Sequence, residues 1–396
     1  MHTGGAQGAK IDFVRVRTQA LAAVKDFAHD YAPEPLSASG IHLIRALGSF
    51  SSPTRVEAGG QLIEAKHFIL ATGATPAHAS WPGQELIRPL ALEDVLTIDR
   101  PPEDLIIVGA NFQALILAQA LLRLGTRVSL VEAGAILPDE DPELVAPVLT
   151  QLTREGLRLF THHEITRLEP VSGGVRLYFE GQAAPLESQQ ITFAANPLPL
   201  VEGLGLKNAG VTYANSGILS DSQGRTSNRK IHVVGDAAGG PDSRLSALGQ
   251  AERLAAHLFG HGHSTAPIAR VLGTDPEMAI VGVTEAQARK KHSSIRILRA
   301  TFADTARARL SRTPQGHVKI VTNSAGMILG AGLVGPGVRE LAGIFSVAID
   351  KRMKASDLSV VVNAPALTQS ISEAALASTP YLGKALGQRF FPRWTR

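Results

Sequence analysis

At 396 residues the chain is longer than one compact core sustains, so two to four domains, each with a core of its own, are expected. A formal charge of +4 is small and dispersed, and no basic stripe with interleaved aromatics is present, which argues against nucleic acid as a partner. The chain has no cysteines; this excludes disulfides, thiolate metal sites and any redox dithiol, and fits a cytoplasmic protein.

The opening MHTGGAQGAK lacks the apolar core of a signal peptide. A helix is predicted over residues 12–29, apolar at Phe13, Val16, Leu21, Val24 and Phe27 and ending before Pro33 and Pro35. Short strands are predicted at 41–44 and 54–57, then a stronger one over 67–76, HFILATGATP. Its Ala-Thr-Gly turn at Thr72 and Gly73 lies at a strand's carboxyl end, where α/β folds admit cofactors. Pro101 and Pro102 then lead into residues 105–132, LIIVGANFQALILAQALLRLGTRVSLVE.

That stretch reads as strand, tight turn at Gly109, helix, second turn at Gly125, and strand. Glu132 closes it where a Rossmann βαβ unit places the carboxylate for a ribose hydroxyl, about 20 residues after the glycine turn. Counted as G-x-G-x-x-G/A, the fingerprint is Gly109, Asn111 and Ala114: the first and third positions fit and the second does not. A side chain at Asn111 is expected to crowd the pyrophosphate, while its tolerance of a left-handed backbone preserves the turn. Two readings stay open, weakened NAD binding and a unit kept for packing. The unit is also the most hydrophobic 20-residue window, and its interruption by Gly109, Asn111, Gln113 and Gln119 argues against a membrane span.

PDEDPELVAPVLTQLTREG reads as a helix with Pro142 near its start, followed by strands around 159–168 and 174–179. IHVVGDAAGG, from Ile231, is a strand ending in Gly235 and Asp236, with a helix predicted over 244–259. Asp236 could hold a ribityl hydroxyl or simply cap that helix. From Pro267 the pattern changes to RILRATF, HVKIVTN and MILGAGLVG, three strands of an antiparallel sheet, with helices at 337–349 and 366–376. The histidines at 162, 163, 261 and 263 form no plausible metal-ligand set and are placed on strand or loop surfaces. The tail YLGKALGQRFFPRWTR is read as a frayed terminus rather than a membrane contact.

The order HFILATGATP, LIIVGANFQALILAQALLRLGTRVSLVE, RTSNRKIHVVGDAAGG, GTDPEMAIVGVTEAQAR resembles the flavin-dependent pyridine nucleotide-disulfide oxidoreductases, most like their mercuric-reductase and dihydrolipoamide-dehydrogenase branch. The resemblance implies an α/β fold of two interleaved Rossmann-like (FAD/NAD(P)) domains, the first incomplete, plus a C-terminal α+β dimerisation domain. Residues 1–90 and 204–264 would form the FAD-like domain, 91–203 the NAD(P)-like domain, 265–380 the dimerisation domain and 381–396 a basic aromatic tail. It further implies that Thr72, Gly73, Gly235 and Asp236 stand on the FAD side and that Gly109, Asn111, Ala114 and Glu132 stand on the nicotinamide-nucleotide side, with Glu132 favouring NAD over its phosphorylated form.

The departures fall on chemistry. Family members begin with an FAD-binding βαβ and a C-x₄-C pair that this sequence lacks, and the glutamate expected in the NAD-domain helix is Ile116. The A-T-G-R-x-P strand end reads Ala194, Ala195, Asn196, Pro197, and the acid-base motif H-P-x-x-S-E falls on Ala364, Pro365, Ala366, Leu367, Thr368 and Gln369. Neither Ala364 nor Gln369 can shuttle a proton. Without the first βαβ strand, the strand at 68–71 is expected to lack a neighbour on one side. Three functions follow: an altered NADH-to-flavin-to-acceptor oxidoreductase, a non-catalytic homodimer, or one piece of a split or truncated enzyme completed by a complementing N-terminal chain.

Overall fold

The structure is a computed structural model and describes residues 11–75, 81–91, 93–182, 184–194, 198–221, 223–239, 247–260, 266–361 and 365–377. Pro76, Ala195 to Pro197, Arg244, His261, His263, Ala364 and the tail lie outside these.

The first helix, Phe13–Asp30, is capped by Asp12, whose carboxylate accepts the Arg15 N–H at 3.2 Å. None of its residues is buried, and Arg17 links it to the Ile98 carbonyl and Asp99. A three-stranded antiparallel sheet follows: Gly48–Ser52, Arg55–Ala58 and Gln61–Glu64. The strand predicted at 41–44 is absent, and its apolar residues Ile41 and Leu43 are exposed. Pairing begins instead at Gly48, where a tight turn brings Arg55–Ala58 alongside and Phe50 is buried.

The strand predicted over 67–76 is broken. Phe68–Leu70 runs parallel to Ile231–Val233, the chain then turns at Gly73 (φ +73°), and Ala74–Thr75 pairs antiparallel with Leu198–Pro199. Among the described residues, Phe68–Leu70 has a strand on one edge only, and Ile69 is half-exposed.

Four parallel strands form the next sheet in the order Gln190–Phe193, Asp104–Val108, Arg127–Glu132, Arg158–Thr161. The middles of its two central strands are largely apolar because both faces are covered. Leu105, Ile107, Val128 and Leu130 pack with helices Phe112–Arg123 and Pro142–Arg154, whereas Ile106, Val131 and Ile191 pack with the antiparallel sheet Ile165–Val171, Gly174–Phe179, Leu186–Ser188. The single strand predicted over 159–168 is two strands, separated by a turn in which His162 adopts φ +58°.

The C-terminal region is a five-stranded antiparallel sheet in the order Arg270–Leu272, Glu277–Gly282, Ile328–Gly335, His317–Asn323, Ile295–Thr301. Helix Val338–Asp350 turns Val338, Leu341, Ala342, Phe345 and Ala348 into it; Val347 faces outward.

This sheet packs directly on the parallel-sheet region. Leu272, Met278, Ile280 and Val334 share a core with Leu144 and Val148, and a Cβ added to Gly332 would lie 2.3 Å from Leu144 Cδ1. Beside that contact Lys319, 3% exposed, donates to Asp141 (2.5 Å), Glu285 (2.7 Å) and Glu143 (3.1 Å), and Arg299 adds a bidentate pair to Glu143. Burial favours the neutral amine, but the three carboxylates outweigh it and hold the Lys319 pKa above its ordinary value. Hydrogen bonds from Arg299 and Lys319 in turn hold the Glu143 carboxyl down to about 2. No helix among the described residues is long and apolar enough to cross a membrane, and no group of three or more His, Asp or Glu side chains there could hold a metal ion.

Candidate dinucleotide site

The carboxyl ends of the parallel strands open into a cavity of about 960 Å³, within the range of small-molecule and cofactor sites. Gly109, Asn111, Glu132 and Asp236 all line it. Candidates from both sides of the predicted site therefore meet in one space. Gly109 follows Val108 with φ +101°, and a Cβ there would stand 2.7 Å from the Ala194 carbonyl oxygen, so the turn requires glycine. Glu132 ends its strand, and its Oε1 accepts the Gly134 N–H at 3.3 Å.

Asn111 differs from expectation. Its backbone is extended (φ −78°, ψ 176°) rather than left-handed, and it is the N-cap of helix Phe112–Arg123. Oδ1 accepts the Ala114 N–H at 2.9 Å and Nδ2 donates to the Ala194 carbonyl at 2.8 Å. The side chain thus occupies one of the helix's N-terminal donors, so it competes with a phosphate for an N–H as well as for space. Replacing Asn at an N-cap by Gly costs only a few tenths of a kcal/mol, so the helix should survive the change. Asn111→Gly is expected to tighten NADH about threefold to tenfold by freeing that donor, read by calorimetry; Glu132→Ala in the same background should loosen it again. Unchanged affinity in Asn111→Gly would sink this account.

The other candidates do not line the cavity. Ala114 is fully buried, and its N–H is the one Asn111 takes. Thr72 donates to the Leu200 carbonyl at 3.1 Å and Gly73 accepts from the Leu200 N–H at 3.0 Å, so this turn is tied to the crossing strand. Gly235 donates to Gln250 Oε1 at 2.9 Å and starts the short turn that carries Asp236. Ile116 is 36% exposed on its helix. Gln369 Nε2 donates to Glu373, four residues along helix Thr368–Leu376.

Sequence reasoning missed part of the lining. Trp81 and Phe193 stack with centroids 5.8 Å apart and both face the cavity, although 112 residues separate them in the chain and no local pattern pairs them. Arg270, from the C-terminal sheet, forms a buried bidentate pair with Glu140, and both residues line the cavity. His163, assigned to a surface, also lines it.

The residues present fit a nicotinamide dinucleotide: a glycine turn closed by backbone, a helix N-terminus, and an acidic strand end on the next strand share the cavity. For FAD the described residues supply Asp236 in the lining of the same cavity, and they contain no second turn of this kind between a strand and a long helix to seat its pyrophosphate.

Fold and cavity together define a Rossmann-type α/β protein, with a cavity at its strand ends and an appended antiparallel α+β unit. Residues 15–251 match the family described as pyridine nucleotide-disulphide oxidoreductase, and residues 268–375 match the dimerisation domain of that family. The chain belongs to this family, whose members are FAD-dependent and bind NAD(P). It is 31% identical to a dihydrolipoyl dehydrogenase of Pseudomonas aeruginosa over 339 residues, covering 83% of this chain and 71% of that protein. It is 28% identical to a mercuric reductase of Staphylococcus aureus, covering 81% of this chain and 60% of that one. Among solved structures, the HOCl-induced flavoprotein disulfide reductase RclA from Escherichia coli superposes with a TM-score of 0.78 at 22% identity, covering 92% of this chain and 86% of that one; this likeness concerns fold alone. LpdA from Mycobacterium tuberculosis superposes with a TM-score of 0.76 at 26% identity, covering 91% and 82%.

Proposed function

We propose that the chain is an altered oxidoreductase of this family without dithiol chemistry, in which a bound flavin would take hydride from NADH and pass it to an acceptor. Asp236 would hold a ribityl hydroxyl, and without a second glycine turn between a strand and a long helix among the described residues the flavin is held weakly. The observation that carries this reading is the shared cavity: Glu132, on the dinucleotide side, and Asp236, on the flavin side, line one space in a chain without cysteine. Thiolate is the nucleophile in disulfide reduction and the soft ligand in mercuric-ion reduction, and this chain supplies none. A bound nicotinamide supplies the hydride. The chain's own part is to seat the phosphates at the turn after Gly109, orient a ribose on Glu132 and line the space with Trp81 and Phe193. The test is the visible spectrum of the purified chain, with and without added FAD, and its bleaching by NADH under anaerobic conditions. NADH-dependent bleaching with no reduction of lipoamide, glutathione disulfide or mercuric ion is expected. FAD whose spectrum and fluorescence are unchanged by an excess of the chain would remove the oxidoreductase reading.

The open edge of Phe68–Leu70 favours a second reading, completion of the flavin-side sheet by another polypeptide segment, because an unpaired strand edge is a template for pairing. In that case flavin is retained only by the complex.

Homodimerisation is part of the proposal and is supported by the dimerisation-domain match. On helix Phe13–Asp30 and just beyond it, Val16, Val24, Phe27 and Tyr31 recur at helical spacing and are 40% to 75% exposed, an apolar stripe that a second chain would cover. Light scattering after size exclusion should give a dimer that persists on dilution, as expected for obligate interfaces of over ~2,000 Å². A monodisperse monomer would refute it.

A further inference from the structure

We propose that His163 is a specificity-determining residue of the cavity, accepting a hydrogen bond from the 6-amino group of an adenine ring. The inference rests on the dinucleotide reading given above and assigns the part of the nucleotide which that reading leaves without a protein partner.

The strand ends set the order of contacts. Gly109 follows the strand Asp104–Val108, Glu132 ends the neighbouring strand, and Thr161, which ends the third, stands opposite Glu132 in the parallel register. A nucleotide with its phosphates at Gly109 and its ribose on Glu132 therefore has its base directed along the strand ends toward the third strand. His163 follows Thr161 by two residues and lines the cavity there with Glu164 and Ile165.

The chemistry of the ring is fixed by its own strand. His163 Nδ1 lies 2.6 Å from the Thr161 carbonyl oxygen. Two acceptors do not approach so closely, so the proton is on Nδ1 and the carbonyl accepts it. In the neutral imidazole Nε2 then carries a lone pair, and among the described residues it has no protein partner. Phe160 and Phe179, in T-shaped contact with ring centroids at 5.9 and 5.2 Å, hold the imidazole in place. The left-handed backbone of His162 (φ +58°) makes the turn that sets this ring beside its own strand. A fixed acceptor at the base end of a nucleotide cavity selects adenine, whose 6-position is a donor, against hypoxanthine, whose 6-position is a carbonyl acceptor.

The test is calorimetric titration of the full chain with NADH and with reduced nicotinamide hypoxanthine dinucleotide. The unmodified protein is expected to favour NADH by about fivefold to tenfold, the usual net effect of one neutral hydrogen bond plus the loss of its acceptor pairing. His163→Phe keeps a ring against Phe160 and Phe179 but has no lone pair, and should bring the ratio below about twofold. His163→Gln, which offers an amide oxygen, should keep most of the preference. Equal affinities in the unmodified protein would overturn the inference while leaving the dinucleotide reading intact, and this comparison depends on no variant folding. A His163→Phe protein that binds both dinucleotides with the original ratio would overturn it as well. If neither dinucleotide binds, the reading of the cavity falls and the inference falls with it.

Discussion

Lys319→Met is expected to destabilise the protein by about 3–5 kcal/mol at pH 7, the usual effect of removing one partner from a buried ionic cluster. Lys319 is 3% exposed and its ammonium neutralises Asp141, Glu143 and Glu285; without it, three carboxylates are left converging, with Arg299 and Arg289 as their remaining ion-pair partners among the described residues. The pH dependence should change sign. In the unmodified protein, hydrogen bonds hold the Glu143 and Glu285 carboxyls below their ordinary values, Glu143 at about 2. Their contribution to stability is present above the unfolded pKa of about 4.3 and is lost as pH falls toward 2. In the variant the crowded carboxylates have raised affinity for protons in the folded state, so protonation becomes favourable on folding and part of the deficit should be recovered between pH 7 and pH 5. Urea midpoints at the two pH values measure this. A variant within 1 kcal/mol of the unmodified protein at pH 7, or one whose deficit is as large at pH 5, would show that the cluster is not what holds this face together.

Gly109→Ala should cost about 3 kcal/mol or more and abolish dinucleotide binding. The new methyl group would meet the Ala194 carbonyl at 2.7 Å, in a backbone conformation (φ +101°) that L-residues rarely adopt. That carbonyl cannot simply withdraw. It accepts from Asn111 Nδ2, and the Ala194 N–H donates to the Val108 carbonyl at 2.7 Å, so moving it breaks contacts on both sides. Gly125→Ala is the matched control: its φ is +97°, yet nothing lies within 4 Å of the added Cβ, and about 1 kcal/mol of backbone strain is the whole expected effect. Equal losses in the two variants would mean that strain alone, and not the approach of Ala194, makes Gly109 indispensable.

The elements with strong local signals were legible in the sequence. The βαβ unit ends at Glu132 as read, Asp12 and Pro142 mark their helix starts, and HVKIVTN is the strand His317–Asn323. Periodicity failed where the deciding partner is distant. Ile41 and Leu43 alternate like a strand but pair with no strand among the described residues, and the stretch 159–168 looked continuous because a left-handed histidine leaves no compositional trace. Within the site, Gly109, Asn111 and Glu132 came from motif spacing and Asp236 from its place at a strand end, and all four line one cavity. Trp81, Phe193, Arg270 and His163 were not legible there, because what brings them together is the crossing of segments far apart in the chain. Asn111 departs from the fingerprint in sequence, and its conformation was misjudged: capping a helix is a stronger local demand on Asn than filling a left-handed turn.

The seating of Leu144 over Gly332 bears on how such proteins are recombined. The family matches end at residue 251 and resume at 268, which suggests a seam at which a C-terminal unit from a relative could be exchanged. Physically the seam lies elsewhere, since Leu272, Met278, Ile280 and Val334 complete the core around Leu144 and Val148. A chimera joined near residue 267 would therefore inherit a half-core, and a donor unit with any side chain in place of Gly332 would find Leu144 already filling that volume. Grafting should succeed only when helix Pro142–Arg154 travels with the sheet it packs on.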